Sequence, residues 1–199
     1  MAPPQRDAIP QISKPVKMKI RGIPREILSN IYIQPEGILQ TVQKFFGDFE
    51  WVQDTILYPV DWIYNKSRKS IFERKWLHTP TILNPPYAEV FQSKKSPRAK
   101  DEKPLKFHIA HILSISRASQ MPVAILLPKR TDKSWYKKLT NQPDVSTLYL
   151  KNPIKFKNLE GNYMPTAEFK SFIAVVGFAK KSVNIQNDEY GAFLSEFQR

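Results

Sequence analysis

The chain contains no cysteine, which excludes disulfide bonds, thiolate metal sites and thiol nucleophiles together. This absence suits an intracellular, reducing compartment, such as the cytoplasm, the nucleus or an organelle. No apolar run approaches the roughly 18 residues of a membrane-spanning helix. Residues 1–30 are also too polar, and too often interrupted by proline, for a secretory signal. We therefore expect no membrane partner.

Glycine and histidine are scarce as well. The six glycines do not cluster, so the chain has no glycine-rich loop that could hold a phosphate group. Of the three histidines, His108 and His111 lie three residues apart, but no cysteine or carboxylate cluster accompanies them. We therefore expect no metal site, and no Ser-His-acid arrangement stands out.

Positive charge is abundant. The 199 residues include 31 lysines and arginines against 18 acidic residues, which gives a formal net charge of +13. Such an excess favours a polyanionic partner, most often nucleic acid, although a lysine-rich solvated surface is the alternative. The charge by itself suits RNA as well as DNA.

Composition along the chain indicates one main domain with extensions. Residues 1–30 form a basic, proline-containing N-terminal extension, residues 31–178 carry the apolar runs of a folded domain, and residues 179–199 form a polar C-terminal extension. The apolar periods predict an amphipathic helix that begins near Pro35 and ends at Gly47, and further helices over Phe107–Ala118 and Trp135–Leu139. Strands are predicted over Phe49–Val52, Thr81–Leu83, Pro122–Pro128, Val145–Leu150, Ile154–Phe156 and Ser171–Phe178.

The order strand, helix, fully apolar strand between Thr81 and Pro128 is typical of a crossover between parallel strands. The fold class expected is therefore α/β, with a mostly parallel sheet covered on both faces. Ligand sites of such sheets lie at the carboxyl ends of the strands.

The sharpest chemical signal is the segment Asn84-Pro-Pro-Tyr87, which directly follows the apolar residues Thr81–Leu83. An amine conjugated to a ring is a poor nucleophile, and the Asn84 side-chain oxygen and the Pro85 carbonyl are two acceptors for its N–H groups. Consecutive prolines restrict the backbone in advance, and Tyr87 offers a flat face for stacking. A simple turn is the alternative interpretation.

Basic residues follow the next predicted strand, in the block Lys129-Arg-Thr-Asp-Lys-Ser-Trp135. The position fits a ligand site at the carboxyl end of a strand. Asp132 could instead cap the helix that follows, and Trp135 could equally belong to the core. The polar, mostly basic stretch 93–104 is a candidate loop for phosphate contacts.

Taken in order, these segments resemble the phage-type DNA N6-adenine methyltransferases over about residues 31–178. The resemblance rests on segments that follow one another in the same order as in that family. They are Tyr32-Ile-Gln-Pro-Glu36, Phe49-Glu-Trp-Val52, Trp76, Leu83-Asn-Pro-Pro-Tyr87, Leu126-Leu-Pro-Lys-Arg-Thr-Asp-Lys-Ser-Trp135, Leu150-Lys-Asn-Pro-Ile-Lys-Phe156 and Phe172–Phe178. The chain departs from the family where Ile33-Gln34 replaces Thr-Pro and where Val52 replaces an acidic strand end. Asp54 is the expected substitute for that acid, with Glu50 the second possibility.

The resemblance implies a Rossmann-like core that binds S-adenosylmethionine and transfers its methyl group to the N6 amine of a flipped adenine in DNA. It also suggests a virus or mobile element as the source. The catalytic residues that it implies are Asn84, Pro85, Pro86 and Tyr87. The implied cofactor-binding residues are Tyr32, Pro35, Phe49, Glu50 and Asp54. The implied nucleic-acid-binding residues are Lys94, Lys95, Arg98, Lys129, Arg130, Asp132 and Trp135.

Two other functions remain open from the sequence. The first is a non-catalytic protein of the same fold that binds nucleic acid in a ribonucleoprotein or virion, which the altered cofactor segment favours. The second is methylation of RNA or of a protein glutamine, since Asn-Pro-Pro-Tyr suits any planar nitrogen.

Overall fold

The computed structural model describes residues 34–47, 51–54, 77–85, 105–158 and 161–194. Three helices lie within these ranges: α1 (Gly37–Phe45), α2 (Leu105–Ser119) and α3 (Ser134–Thr140). The strands there are β1 (Val52–Asp54), β2 (Thr81–Leu83), β3 (Val123–Pro128), β4 (Val145–Leu150), β5 (Lys155–Lys157), β6 (Tyr163–Thr166), β7 (Ser171–Val176) and β8 (Ser182–Ile185). The described part of the chain is thus an α/β structure.

The main sheet has six strands in the order β1-β2-β3-β7-β4-β8, and β5 pairs with β6 in a separate two-stranded sheet. Strands β1, β2 and β3 are parallel, as are β4 and β8. Strand β7 lies antiparallel between β3 and β4. Helix α2 connects β2 to β3, so the predicted crossover between parallel strands is confirmed.

The sheet is mixed, and the prediction of a mostly parallel sheet is wrong. Its two longest ladders, β3 with β7 and β4 with β7, are both antiparallel. The sequence pattern could not reveal this direction because β7 is buried along its whole length, as is β3. A strand covered on both faces reads as a continuous apolar run whichever way it points.

The core lies on both faces of β3 and β7. Ile125, Leu126, Phe172 and Ile173 are completely buried. The face of α2 that contains Ile109 and Ile112 belongs to the same apolar cluster, as its helical period predicts. Tyr136 of α3 packs edge-on against the Phe172 ring, with 5.2 Å between the ring centroids.

Most predicted elements are confirmed, with boundary shifts of a few residues. Strand β1 is displaced the most from its predicted range, Phe49–Val52, because Asp54 is the last residue of the strand instead of lying beyond it. Strands β6 and β8 were not predicted because they are short and largely exposed, so neither has an apolar pattern. Among the described helices, none is both long enough and apolar enough to cross a membrane.

Candidate functional site

Three parallel strands end side by side at one edge of the sheet, which we call the carboxyl edge. Asp54 ends β1 and pairs with Leu83, and Leu83 pairs in turn with Ile125 of β3. Asn84 follows β2 and Lys129 follows β3. Because neighbouring strands lie about 4.8 Å apart, the sheet brings these positions to one edge of the molecule, as the crossover pattern predicted.

Asn84 and Pro85 occupy the buried end of β2. The Asn84 side chain is 5% exposed, and Pro85 is also buried. Strand β2 lies between parallel neighbours on both sides, and the Thr81 amide donates to the Pro122 carbonyl at 3.2 Å. The backbone that presents the Asn84 amide is therefore held along its length by the sheet.

The turn after β3 contains an ion pair. The Arg130 guanidinium donates to both carboxylate oxygens of Asp132 at 2.9 Å, and this pairing lowers the pKa of Asp132 to about 2. The N-cap of α3 is Lys133, and no side chain caps this helix. The alternative that Asp132 caps the helix is therefore wrong, because its carboxylate is bound to Arg130 instead.

The two neighbours of this ion pair lie in different environments. The Lys129 ammonium is exposed and lies 4.9 Å from the centroid of the Tyr149 ring. Trp135 is 7% exposed, belongs to the hydrophobic core and packs against Tyr136 with 6.1 Å between ring centroids. Lys129 is thus open to a phosphate, whereas the Trp135 position matches the core alternative.

Helix α1 runs from the carboxyl edge to the opposite edge. A Cβ atom built at Gly37 would meet the Tyr190 carbonyl, which lies in the segment beyond β8, whereas Phe46 contacts Phe178 beyond the end of β7. The amino end of α1 has no side-chain cap and no acidic residue in its first turn. Its first two residues, Gly37 and Ile38, are buried, and the Ile38 amide donates to the Pro35 carbonyl at 3.2 Å, so this end of the helix packs against the rest of the chain.

Gln34 lies just before this helix and is 5% exposed. Its Oε1 atom has no hydrogen-bond partner in the described part of the chain. A buried amide oxygen without a partner is costly, and a donor on a ligand would satisfy it. Pro35, a predicted cofactor-binding residue, is buried immediately beside it.

Strand β7 adds residues that the sequence did not indicate. Because β7 is antiparallel, its first residue, Ser171, pairs with Pro128 at the carboxyl edge, and the Lys129 amide donates to the Lys170 carbonyl at 2.8 Å. Ser171 is fully buried, and its hydroxyl has no hydrogen-bond partner within the described ranges. The only signal in the sequence was that Lys170 and Ser171 precede an apolar run. In the mostly parallel sheet that was expected, the start of such a strand lies at the edge opposite the site.

The structure describes half of the predicted site residues. These are Asn84, Pro85, Pro35, Asp54 and the four residues of the block after β3, namely Lys129, Arg130, Asp132 and Trp135. The others lie outside the described residues: Tyr32, Phe49, Glu50, Pro86, Tyr87, Lys94, Lys95 and Arg98.

The described residues contain no group of three or more His, Asp or Glu side chains that could hold a metal ion. Comparison of the chain with protein-family models, with curated proteins and with solved structures finds no match.

Proposed function

We propose that the chain is an S-adenosylmethionine-dependent methyltransferase with a Rossmann-like core that modifies the N6 amine of adenine in DNA. The observation that carries this proposal is the position of Asn84 and Pro85, directly after a buried strand that has parallel neighbours on both sides. Open α/β sheets bind their ligands at such strand ends. The acceptors of an Asn-Pro-Pro-Tyr segment are thus where a substrate amine would be bound.

The chemistry at this position needs acceptors more than a base. The Asn84 side-chain oxygen and the Pro85 carbonyl are both hydrogen-bond acceptors by chemistry, and both belong to buried residues. In a site of low dielectric constant, such fixed acceptors stabilise the positive charge that develops on the amine as it is alkylated. Since the neutral amine attacks with both of its hydrogens in place and loses one proton only after the methyl group is transferred, no histidine or glutamate is required to deprotonate it first.

The residues near the amino end of α1 fit the cofactor. The Gln34 oxygen offers an acceptor to an ammonium group. The amino-acid part of S-adenosylmethionine carries such a group, and Asp54, at the end of β1, is the acid expected for the cofactor. When bound, the cofactor would supply an electrophilic methyl group and leave as the thioether S-adenosylhomocysteine, and Asn84 and Pro85 would hold the acceptor nitrogen.

The charge at the carboxyl edge supports a nucleic-acid substrate. Lys129 and Lys170 are both exposed there. Together with the net charge of +13, they supply the electrostatic attraction on which non-specific binding of nucleic acid depends. Such contacts position a phosphate backbone and carry no sequence information.

Methyl incorporation from labelled S-adenosylmethionine, assayed separately with DNA, RNA and protein, tests the proposal. We expect label in DNA, and we expect Asn84→Ala to lower turnover about 100-fold, as loss of a fixed electrostatic contact does. DNA affinity should change less than about two-fold. Asn184→Ala, which removes an exposed amide in β8, is the matched control and should behave as wild type.

Label in RNA or protein alone would contradict the DNA assignment, and equal losses of binding and turnover in Asn84→Ala would contradict the role of Asn84. Thermal melting of each variant separates these outcomes from unfolding, because Asn84 is buried.

A second candidate is a non-catalytic protein of the same fold that binds nucleic acid. The burial of Asn84 at 5% exposure favours it, because so little of this side chain is open to a base. Binding of S-adenosylmethionine distinguishes the two candidates, since a purely structural protein has no need of the cofactor.

A further inference from the structure

Two exposed tyrosines are in contact beside the amino end of α1. The large hydrophobic side chains exposed in the described ranges are Phe107, Tyr163, Tyr190 and Leu194. Tyr163 is 45% exposed and Tyr190 is 36% exposed, and their ring centroids lie 4.7 Å apart. Large apolar groups that cluster on a surface mark a binding site more often than scattered ones do.

The side chain of Tyr163 and the backbone of Tyr190 are held in place although both residues face solvent. The Tyr163 hydroxyl donates to Oε2 of Glu36 at 3.1 Å. The amides of Tyr190 and Ala192 both donate to Oδ1 of Asp188, at 2.8 and 2.9 Å, around a turn in which Gly191 has φ +79°. Pre-ordered rings lose little conformational entropy when a ligand stacks on them.

Charged groups surround the pair. The Lys157 ammonium lies 4.9 Å from the Tyr163 ring centroid and forms an ion pair with Glu36, and Lys155 pairs with Glu189 at 2.5 Å. The hydrogen bond from Lys157 lowers the pKa of the Glu36 carboxyl, so this group is an anion at neutral pH. Each ammonium carries three donors and each carboxylate about four acceptor sites, so both retain capacity for a ligand.

This surface adjoins the proposed cofactor region. Glu36 immediately precedes α1, and the Tyr190 carbonyl would meet a Cβ atom at Gly37 at 2.5 Å. Gln34 and Pro35 precede Glu36 directly in the chain. Tyr190 follows the end of β8, which lies four strands from β2 in the same sheet, so a nucleic acid that extends along the carboxyl edge from Asn84 would reach the stacking surface.

We propose that Tyr163 and Tyr190 form a stacking platform for an unpaired nucleic-acid base that carries an exocyclic amine. The two rings are tilted by 52° to each other, so the base stacks on one ring and meets the other with its edge. Glu36 accepts a hydrogen bond from the amine, and Lys155 and Lys157 lie beside the adjoining phosphates. Stacking on aromatic side chains is how proteins bind unpaired nucleotides, and a carboxylate is the acceptor that suits an amine such as N4 of cytosine. This inference rests on the proposed nucleic-acid substrate.

Fluorescence anisotropy with labelled oligo-dC and oligo-dT of equal length tests the platform in the full chain without cofactor. These oligonucleotides contain no adenine, so the proposed target pocket does not contribute to the comparison. We expect tighter binding of oligo-dC, and an affinity about ten-fold lower in Tyr163→Leu and in Tyr190→Leu. Tyr163→Phe and Tyr190→Phe should stay within about three-fold of wild type, because the rings remain.

Two further variants make the test specific. Glu36→Gln should reduce the preference for oligo-dC over oligo-dT, because the anionic acceptor is lost. Phe107→Leu removes an aromatic ring that is 49% exposed elsewhere on the surface, and it should leave both affinities unchanged. Melting curves of all variants are recorded in parallel.

The outcomes separate this inference from the proposed function. Equal affinity of the wild type for both oligonucleotides, or Leu variants that bind as wild type, would overturn the platform while leaving methylation of adenine in DNA untouched. Failure of the wild type to bind any oligonucleotide, single-stranded or duplex, would overturn both proposals.

Discussion

Asp54, the last residue of β1, pairs in parallel register with Leu83, the residue that precedes Asn84. An acidic residue and an amide residue thus end neighbouring strands of the same sheet. Because parallel strands present their carboxyl ends at one edge, the two positions lie within one strand spacing of each other, about 4.8 Å, and one residue step. This adjacency places the expected cofactor acid beside the expected substrate amide.

The first prediction concerns the cofactor. In a calorimetric titration, we expect S-adenosylmethionine to bind at micromolar concentration and Asp54→Ala to weaken binding about ten-fold, as loss of one charge-assisted hydrogen bond does. Asp144→Ala removes an acid before the start of β4, at the opposite edge, and is the control. Absence of binding in a folded protein that holds nucleic acid would favour the non-catalytic candidate.

The second prediction concerns Gly37, the first residue of α1. Alanine normally stabilises a helix relative to glycine. Here an added Cβ would lie 2.5 Å from both the Ala192 nitrogen and the Tyr190 oxygen, and these backbone atoms cannot simply rotate away. We expect Gly37→Ala to lower the free energy of unfolding by about 2 kcal/mol.

Urea denaturation measures this effect. Ser114→Ala, at an exposed position of α2, is the control and should be neutral or slightly stabilising. A stabilised Gly37→Ala variant would mean that the segment around Tyr190 does not pack against α1.

The third prediction concerns Asn187, which is completely buried beyond β8. Its side chain accepts a hydrogen bond from the Asn152 amide at 3.0 Å and donates to the Asn152 carbonyl at 3.1 Å. Asn187→Ala leaves these backbone groups without a partner, which costs about 1–3 kcal/mol. Thermal melting should therefore show a clear loss for Asn187→Ala and almost none for the exposed Asn184→Ala. Similar melting of the two variants would contradict the packing of this segment against β4.

The fourth prediction concerns pH and the pair of Arg117 with Asp144. The guanidinium donates to both carboxylate oxygens, at 2.9 and 2.8 Å, and these hydrogen bonds lower the pKa of Asp144. A carboxyl whose pKa is lower in the folded state contributes stability above its unfolded pKa of about 3.9 and loses that contribution as the pH falls through the folded value.

Asp144→Asn should therefore be less stable than wild type at about pH 7 and approach it in acid, below about pH 3. Both side chains are more than a third exposed, at 45% and 35%, so screening by solvent keeps the difference below about 1 kcal/mol. Unfolding by urea across this pH range measures the effect. A difference that persists unchanged in acid would mean that the carboxylate charge is not its cause.

Much of the fold was predictable because the signals are local. The helical period of Ile109 and Ile112 and the apolar run Val123–Leu127 each require one kind of element, and the structure has them. The link from β2 through α2 to β3 also follows from the sequence, because two buried strands joined by a helix are normally parallel. The sequence pattern therefore predicts that Asn84 and Lys129 lie at the same edge of the sheet.

Other features depended on contacts between distant residues. The sequence allows two partners for the Asp132 side chain, the amides at the start of α3 and the Arg130 guanidinium. Only the conformation of the turn selects the guanidinium. The contact of Tyr163 with Tyr190 joins strand β6 to a turn beyond β8. Neither segment has an apolar period from which this contact could be inferred.

The sequence by itself determined which segments are buried, where the strand before Asn84 ends and how strongly basic the chain is, because these depend on composition and short-range pattern. The tertiary structure alone decided the direction of β7, and with it the arrival of Ser171 at the carboxyl edge. It also decided that β8 pairs with β4 and that the Asn187 side chain forms hydrogen bonds with the Asn152 backbone. Burial requires the residues of a strand to be apolar, but it does not set the direction in which the strand runs. Pairing between segments so far apart in the chain is selected only when the whole sheet assembles.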